Sequence, residues 1–200
     1  GSSVDLASAM NAVAGVKQRD PTAKVVLSAS FGGRARGPSA TGIAASRAAD
    51  VGVIVVVAAG NDGTDACRYS PASAPGVITV ANAVRDDTVA RSSNTGRCVD
   101  VIAPGTNILS VDGRSQGGGL RRLSGTSMAC PHVAGVAALI LSDDPRGENL
   151  TAVDVLDRMT TGSATVGGIP MAFVGQRCAP RAPPSGVPAP TTPVPAPTTP

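Results

Sequence analysis

Apolar positions change their period several times along the chain. Over residues 4–18, Val4, Leu6, Ala7, Met10, Val13 and Ala14 recur at helical spacing, and Asp20-Pro21 ends that run. Lys24 to Ala29 predicts a short strand, followed by a glycine-rich turn at Phe31-Gly32-Gly33. Ser39 to Asp50 is rich in alanine and predicts a second helix, with Pro38 or Ser39 at its start. Val51 to Ala59 is apolar without alternation, the pattern of a central parallel strand covered on both faces. Val77–Val80 and Val99–Ile102 predict further strands. Ser127–Leu141 predicts a strongly apolar helix and Thr151–Met159 an amphipathic one. This order argues for an α/β domain with a mainly parallel sheet, whose ligands sit at the carboxyl ends of the strands.

The pattern changes at residue 179. Residues 179–200 are almost entirely Pro, Ala, Thr, Val and Ser, and Pro-Ala-Pro-Thr-Thr-Pro occurs twice. Such a stretch cannot bury a core and predicts a disordered, extended linker or tail after a domain spanning 1–178. No apolar run reaches the roughly 18–20 residues that cross a bilayer. The chain begins without Met or a charged-then-apolar leader, so either a signal segment has been removed or the natural start lies upstream.

Composition narrows the classes. Hydrophobic residues make up 42% of the chain, yet it holds only two Phe, one Tyr and no Trp, so the core must be built from Val, Ala, Leu and Ile. The net charge is +3 and the basic residues are scattered, with Arg121-Arg122 the longest cluster. That is no stripe for tracking phosphates, and there are no aromatic platforms for bases, so nucleic acid is not expected as a partner.

The most informative segment is Ser124-Gly125-Thr126-Ser127-Met128-Ala129-Cys130-Pro131-His132-Val133-Ala134-Gly135. Small residues allow a sharp turn, and Ser127 then opens an apolar helix whose first N–H groups can hold a developing anion. From local sequence alone, a serine in that place is more often a cap than a nucleophile. Likewise Asn61, in Ala58-Ala59-Gly60-Asn61-Asp62 after the buried strand, reads locally as a turn residue.

The segment resembles the Gly-Thr-Ser-Met-Ala-x-Pro-His-Val-Ala-Gly signature of the subtilases, the subtilisin and proteinase K family, and the similarity covers residues 1–178. The resemblance implies a three-layer α/β/α fold with the N-terminal strands missing from this chain, and secretion to the extracellular space. It implies Ser127 as nucleophile and Asn61, with the Ser127 N–H, as the oxyanion hole. Ser30-Phe31-Gly32-Gly33 is similar to the family's Ser-Leu-Gly-Gly strand end, where substrate main chain pairs. Ala58, Ala59 and Gly60 would form the other wall of the specificity pocket. Tyr69-Ser70-Pro71-Ala72-Ser73 and Ile102-Ala103-Pro104-Gly105 match framework pieces. In proteinase K-like relatives, positions matching Pro75, Val77 and Asp100 hold a structural calcium, an oxygen-only set that suits this ion; no cofactor is implied for the chemistry. Relatives also imply a Cys67–Cys98 disulfide, consistent with an oxidising compartment. Cys130 is expected to be a buried free thiol, Cys178 stays unassigned, and Asn149-Leu150-Thr151 is a glycosylation sequon.

Serine-protease chemistry also needs a base and an orienting carboxylate. The family's Asp-(Ser/Thr)-Gly and His-Gly-Thr-His segments do not occur here, and the only histidine is His132. It lies five positions after Ser127, about 140° around a helix, so it does not activate that hydroxyl. Two readings follow. One is a partial, secreted serine endopeptidase, inactive alone and unstable because a strand that should be central becomes an open edge. The other is a truncated non-catalytic homologue that binds peptides or inhibitors. The expected partners are a protein or peptide substrate and the missing N-terminal part of the domain. A monomer is expected, with neither nucleic acid nor a membrane span.

Overall fold

A computed structural model describes residues 2–113, 118–144 and 150–172. The proposed tail, Cys178 and the asparagine of the 149–151 sequon lie outside the described residues. The elements run in order α1 (Ser3–Arg19), β1 (Val26–Ala29), β2 (Gly33–Arg34), α2 (Ala40–Asp50), β3 (Ile54–Ala58), β4 (Tyr69–Ser70), β5 (Ile78–Ala83), β6 (Val101–Pro104), β7 (Ile108–Val111), β8 (Leu120–Leu123), α3 (Thr126–Asp143), α4 (Ala152–Thr160), β9 (Thr165–Val166) and β10 (Ile169–Pro170). The main sheet has the order β1-β3-β5-β6 and every pairing in it is parallel.

The unalternating apolar run is explained by two-sided burial. Ile54, Val56 and Ala58 of β3 face α3 and α4, packing with Ala129, Cys130, Val133, Val155 and Met159. Val53, Val55 and Val57 point the other way, against Ala7, Met10 and Ala14 of α1 and Ala44, Ala45 and Ala48 of α2. The result is the expected three-layer α/β/α arrangement, with alanines on α2 letting that helix lie close to the sheet. Each buried valine contributes roughly 1.5–3 kcal/mol of transfer free energy. At β1 the outer edge pairs with no strand among the described residues, and Ser28 there is exposed. No helix among the described residues is long and apolar enough to cross a membrane.

Boundaries shift where backbone hydrogen bonds decide them. The predicted strand 51–59 starts at Ile54, because Val51 caps α2 and the Gly52 and Val53 N–H groups close that helix on Ala49 and Ala48. The predicted 77–80 and 99–102 strands extend to Ala83 and Pro104, paired from Val80↔Val101 to Ala83↔Pro104. Both amphipathic ends behave as their residues dictate. Ser2 and Thr151 each form a capping box with the carboxylate three positions on, Asp5 and Asp154. The β7–β8 hairpin, with Val111 and Leu120 exposed, was not anticipated.

Cys67 and Cys98 form the expected disulfide, 31 positions apart. It ties the short 3₁₀ turn after the β3 loop to the approach to β6. Chain-entropy arguments give a cross-link of this span roughly 3–4 kcal/mol. Replacing both cysteines with serine is therefore expected to lower the unfolding free energy in urea by about that amount. A loss under about 1 kcal/mol would show that the denatured chain is already constrained there.

Candidate active site

Three turns build one cleft. The first is the start of α3. Gly125 sits at φ +146°, a region that L side chains rarely adopt, and its N–H bonds to the Gly105 carbonyl at 2.8 Å. That sharp entry puts Thr126 and Ser127 in the first turn of the helix. Pro131, inside α3, has no N–H to give to the carbonyl four residues before it, which is that of Ser127. The Ser30 hydroxyl takes that place, donating to the Ser127 oxygen at 2.9 Å. In return the Ser127 hydroxyl donates to the Ser30 carbonyl at 3.2 Å. The two serines, 97 positions apart, clasp one another across the carboxyl end of β1.

The second turn follows β3. Asn61 Oδ1 accepts the Thr126 N–H at 2.9 Å and the Thr126 hydroxyl at 3.2 Å. This fixes the amide with its Nδ2 turned away from Thr126. Thr126 is fully buried and also accepts the Gly60 N–H at 3.2 Å, so it locks the asparagine turn to the helix start. Neither Asn61 Nδ2 nor the Ser127 N–H donates to a protein acceptor among the described residues. Two donors therefore remain beside one hydroxyl, as expected where a helix start leaves its first N–H groups unpaired.

The third turn is Ser30 to Gly33. With the other two it encloses a cleft of about 530 Å³ lined by Ser30, Phe31, Gly32, Gly33, Ala58, Ala59, Gly60, Asn61 and Ser127, together with Arg34, Asp62, Tyr69 and Thr126. All the residues expected from the sequence to bind substrate meet here. The last four were missed. Asp62 was signalled only by adjacency to Asn61, and Tyr69 only as the first residue of a framework match, not as part of the site. Arg34 reaches the wall because β2 pairs antiparallel with β4, matching Arg34 with Tyr69. Burial pushes the Tyr69 hydroxyl above its ordinary value, and the neighbouring Asp62 carboxylate adds to the shift.

Other expected residues lie apart. His132 is exposed and its Nδ1 donates to the Met128 carbonyl at 2.8 Å, along its own helix rather than toward Ser127. Cys130 is a buried free thiol. Its Sγ donates to the Val56 carbonyl at 3.4 Å, and burial raises its pKa, so it acts as a small core residue. Asp100 lies before β6. Its Oδ2 accepts the Thr79 N–H at 2.7 Å, and burial pushes its carboxyl above the usual range against that bond. The Pro75 carbonyl accepts the Ser46 hydroxyl at 3.0 Å, which leaves one of its lone pairs unused.

A three-layer α/β/α fold that sets a serine at a helix start opposite a strand-end amide has the layout of a serine hydrolase. The subtilase family model, Peptidase S8, matches residues 1–174. The chain belongs to the subtilase family of serine proteases. It is 48% identical over 130 residues to Subtilisin-like protease 3 of Trichophyton tonsurans, covering 65% of this chain and 32% of that protein. It is 42% identical over 154 residues to Subtilisin-like protease 1 of Arthroderma gypseum, covering 76% of this chain and 30% of the relative. The chain thus spans about a third of the length of the curated relatives it matches. Among solved structures, a cold adapted subtilisin-like serine proteinase superimposes with TM-score 0.73 at 34% identity, over 87% of this chain and 61% of that one. A protease from Pseudoalteromonas arctica gives 0.66 at 33%, over 74% and 49%.

Proposed function

We propose that these residues form the nucleophile and oxyanion side of a secreted serine endopeptidase. The observation that carries this reading is the cleft in which the Ser127 hydroxyl lies beside two donors without protein acceptors among the described residues, the Ser127 N–H and Asn61 Nδ2. Substrate main chain would add to the strand end at Ser30–Gly32 as an extra strand, and its side chain would enter the space between Gly33 and Ala58–Gly60. Ser127 Oγ then leaves the Ser30 carbonyl and attacks the peptide carbonyl carbon. The hydroxyl proton passes to a base, the carbonyl oxygen becomes the anion held by the two donors, and on collapse the base returns that proton to the departing amine, leaving an acyl-enzyme that water hydrolyses.

The base is not among these 200 residues, since His132 is the single histidine and is engaged with Met128. Catalysis therefore calls for a histidine and its carboxylate from other residues. A fluorophosphonate probe tests the assignment. In a hydrolytically competent chain carrying that base, the label is expected on Ser127 by peptide mapping, and the 200 residues alone are expected to remain unlabelled. A label elsewhere in a working enzyme overturns the assignment. An unlabelled natural chain that still binds peptides favours a non-catalytic homologue. The disulfide favours an oxidising, extracellular compartment.

Asp100 and the carbonyls of Pro75 and Val77 would hold a structural calcium. The fit lies in the donor set. A half-buried carboxylate holds one N–H and the Pro75 carbonyl holds one hydroxyl, which leaves oxygen lone pairs on both. The remaining ligands would be carbonyls and water, as calcium accepts. Without a cation, the raised Asp100 pKa makes its contribution to stability complete below the ordinary value of 3.8 and lost as pH rises through the folded value. A bound cation reverses that preference. At neutral pH, calcium at a hundredfold over its Kd is expected to raise Tm by on the order of 5–10 °C. The increment should fade on acidification and be absent in Asp100→Asn. An unchanged Tm in the native protein would rule the site out.

A further inference from the structure

Asn94 lies between β5 and β6, outside the lining of the cleft, and its side chain is fully buried. Both polar atoms of its side chain, and its main-chain N–H, bond to the turn that follows β3. Its Nδ2 donates to the Ala59 carbonyl at 2.8 Å. Its Oδ1 accepts the N–H of Asp62 at 3.1 Å and of Thr64 at 3.2 Å. Its own main-chain N–H donates to the Gly60 carbonyl at 2.9 Å. The orientation of the amide is unambiguous, because a carbonyl only accepts and the two N–H groups only donate. Gly60 makes the close approach feasible, since a Cβ there would lie 2.3 Å from Asn94 Nδ2. Asparagine is the side chain of this size with a donor and an acceptor at one tip. Aspartate keeps the shape and loses the donor, and leucine loses both.

The turn so gripped is held at Ala59 and Gly60 on one side of Asn61 and at Asp62 and Thr64 on the other. We infer that Asn94 is a positioning residue for the oxyanion donor: it sets the main chain on both sides of Asn61, and thereby where Asn61 Nδ2 stands relative to Ser127. Asn94 itself touches no substrate. The inference rests on the reading of Asn61 as an oxyanion donor. Its effect comes through preorganisation, because a donor aimed in advance stabilises the developing anion without reorganising, and a misplacement of about 1 Å can cost a hundredfold in rate.

A double-mutant cycle on kcat, in a chain that carries the base, separates this role from a structural one. Asn94→Asp, which preserves volume and both acceptor contacts, is expected to lower kcat by about 10- to 100-fold with KM changed by less than about twofold. Asn61→Ala is expected to lower it by about 100- to 1000-fold, the range known for subtilisin, a member of this family. On the Asn61→Ala background, Asn94→Asp should cost nothing further, because there is no donor left to aim. Should Asn94→Asp fail to fold, Asn94→Ser, small enough to admit a bridging water, is expected to show a milder loss with the same dependence on Asn61. Losses that multiply across the two positions overturn the positioning role, as does a full kcat in folded Asn94 variants beside an impaired Asn61→Ala. A full kcat in Asn61→Ala overturns the oxyanion reading and this inference with it.

Discussion

Ser127→Ala, in a chain that also supplies the base, is expected to lower kcat by about a millionfold and leave KM nearly unchanged. The magnitude belongs to subtilisin itself, where removing the nucleophile alone costs about 2 × 10⁶; it is carried over through family membership. The structural reason for an unchanged KM is that the cleft walls are built largely by other residues. The Ser30–Gly33 turn is held by β2 pairing with β4, and the Ala58–Gly60 wall continues a strand buried along its whole length. The substitution removes the hydroxyl's bond to the Ser30 carbonyl but keeps the Ser127 carbonyl that Ser30 holds. Stability should therefore change by less than about 1 kcal/mol. Initial-rate kinetics with an extended peptide, paired with a urea melt, measure both quantities. A variant retaining more than a hundredth of the activity would remove Ser127 from the chemistry.

Gly60→Ala should damage both fold and activity. Gly60 adopts φ +103°, where an L residue carries roughly 1–3 kcal/mol of strain. The new methyl would also sit 2.3 Å from Asn94 Nδ2 and 3.4 Å from Tyr69. Asn94 cannot yield cheaply, because moving it breaks its bonds to the part-buried Asp62 and Thr64 N–H groups and leaves the buried Ala59 carbonyl unpaired, the last at roughly 1–3 kcal/mol. Together these predict a loss of about 3–5 kcal/mol in unfolding free energy, and a lower kcat in whatever fraction stays folded. A variant within about 0.5 kcal/mol of the parent would mean that the turn relaxes freely, and would weaken the case that it is held rigid for function.

Much of this is legible in the sequence. The helices α1, α2, α3 and α4 and the central strand are legible because their apolar periods follow directly from whether one face or two are covered. Ser127, Asn61 and the Ser30–Gly33 turn were picked out by resemblance to a family, with composition only failing to exclude them. Strand ends at Ile54 and Ala83 were misplaced by a few residues, since hydrogen bonds to partners distant in sequence decide where pairing begins and stops. The short β7–β8 hairpin, with exposed apolar side chains, carries no burial pattern from which it could be recognised.

Asn94 marks the boundary most clearly. In the row Ser92-Ser93-Asn94-Thr95-Gly96 it looks like any turn asparagine, and nothing local distinguishes it. Its role exists only because the β3–β5–β6 order brings a segment some thirty positions away against the Ala59–Thr64 turn. The same holds for Ser30 and the carbonyl left without a donor by Pro131. The local chain settled which segments are helices or strands, and that a serine opens an apolar helix, because periodicity and capping act over a few residues. Which donor meets which acceptor across the cleft was left to the packed sheet, because contacts between residues far apart in the chain have no local pattern to announce them.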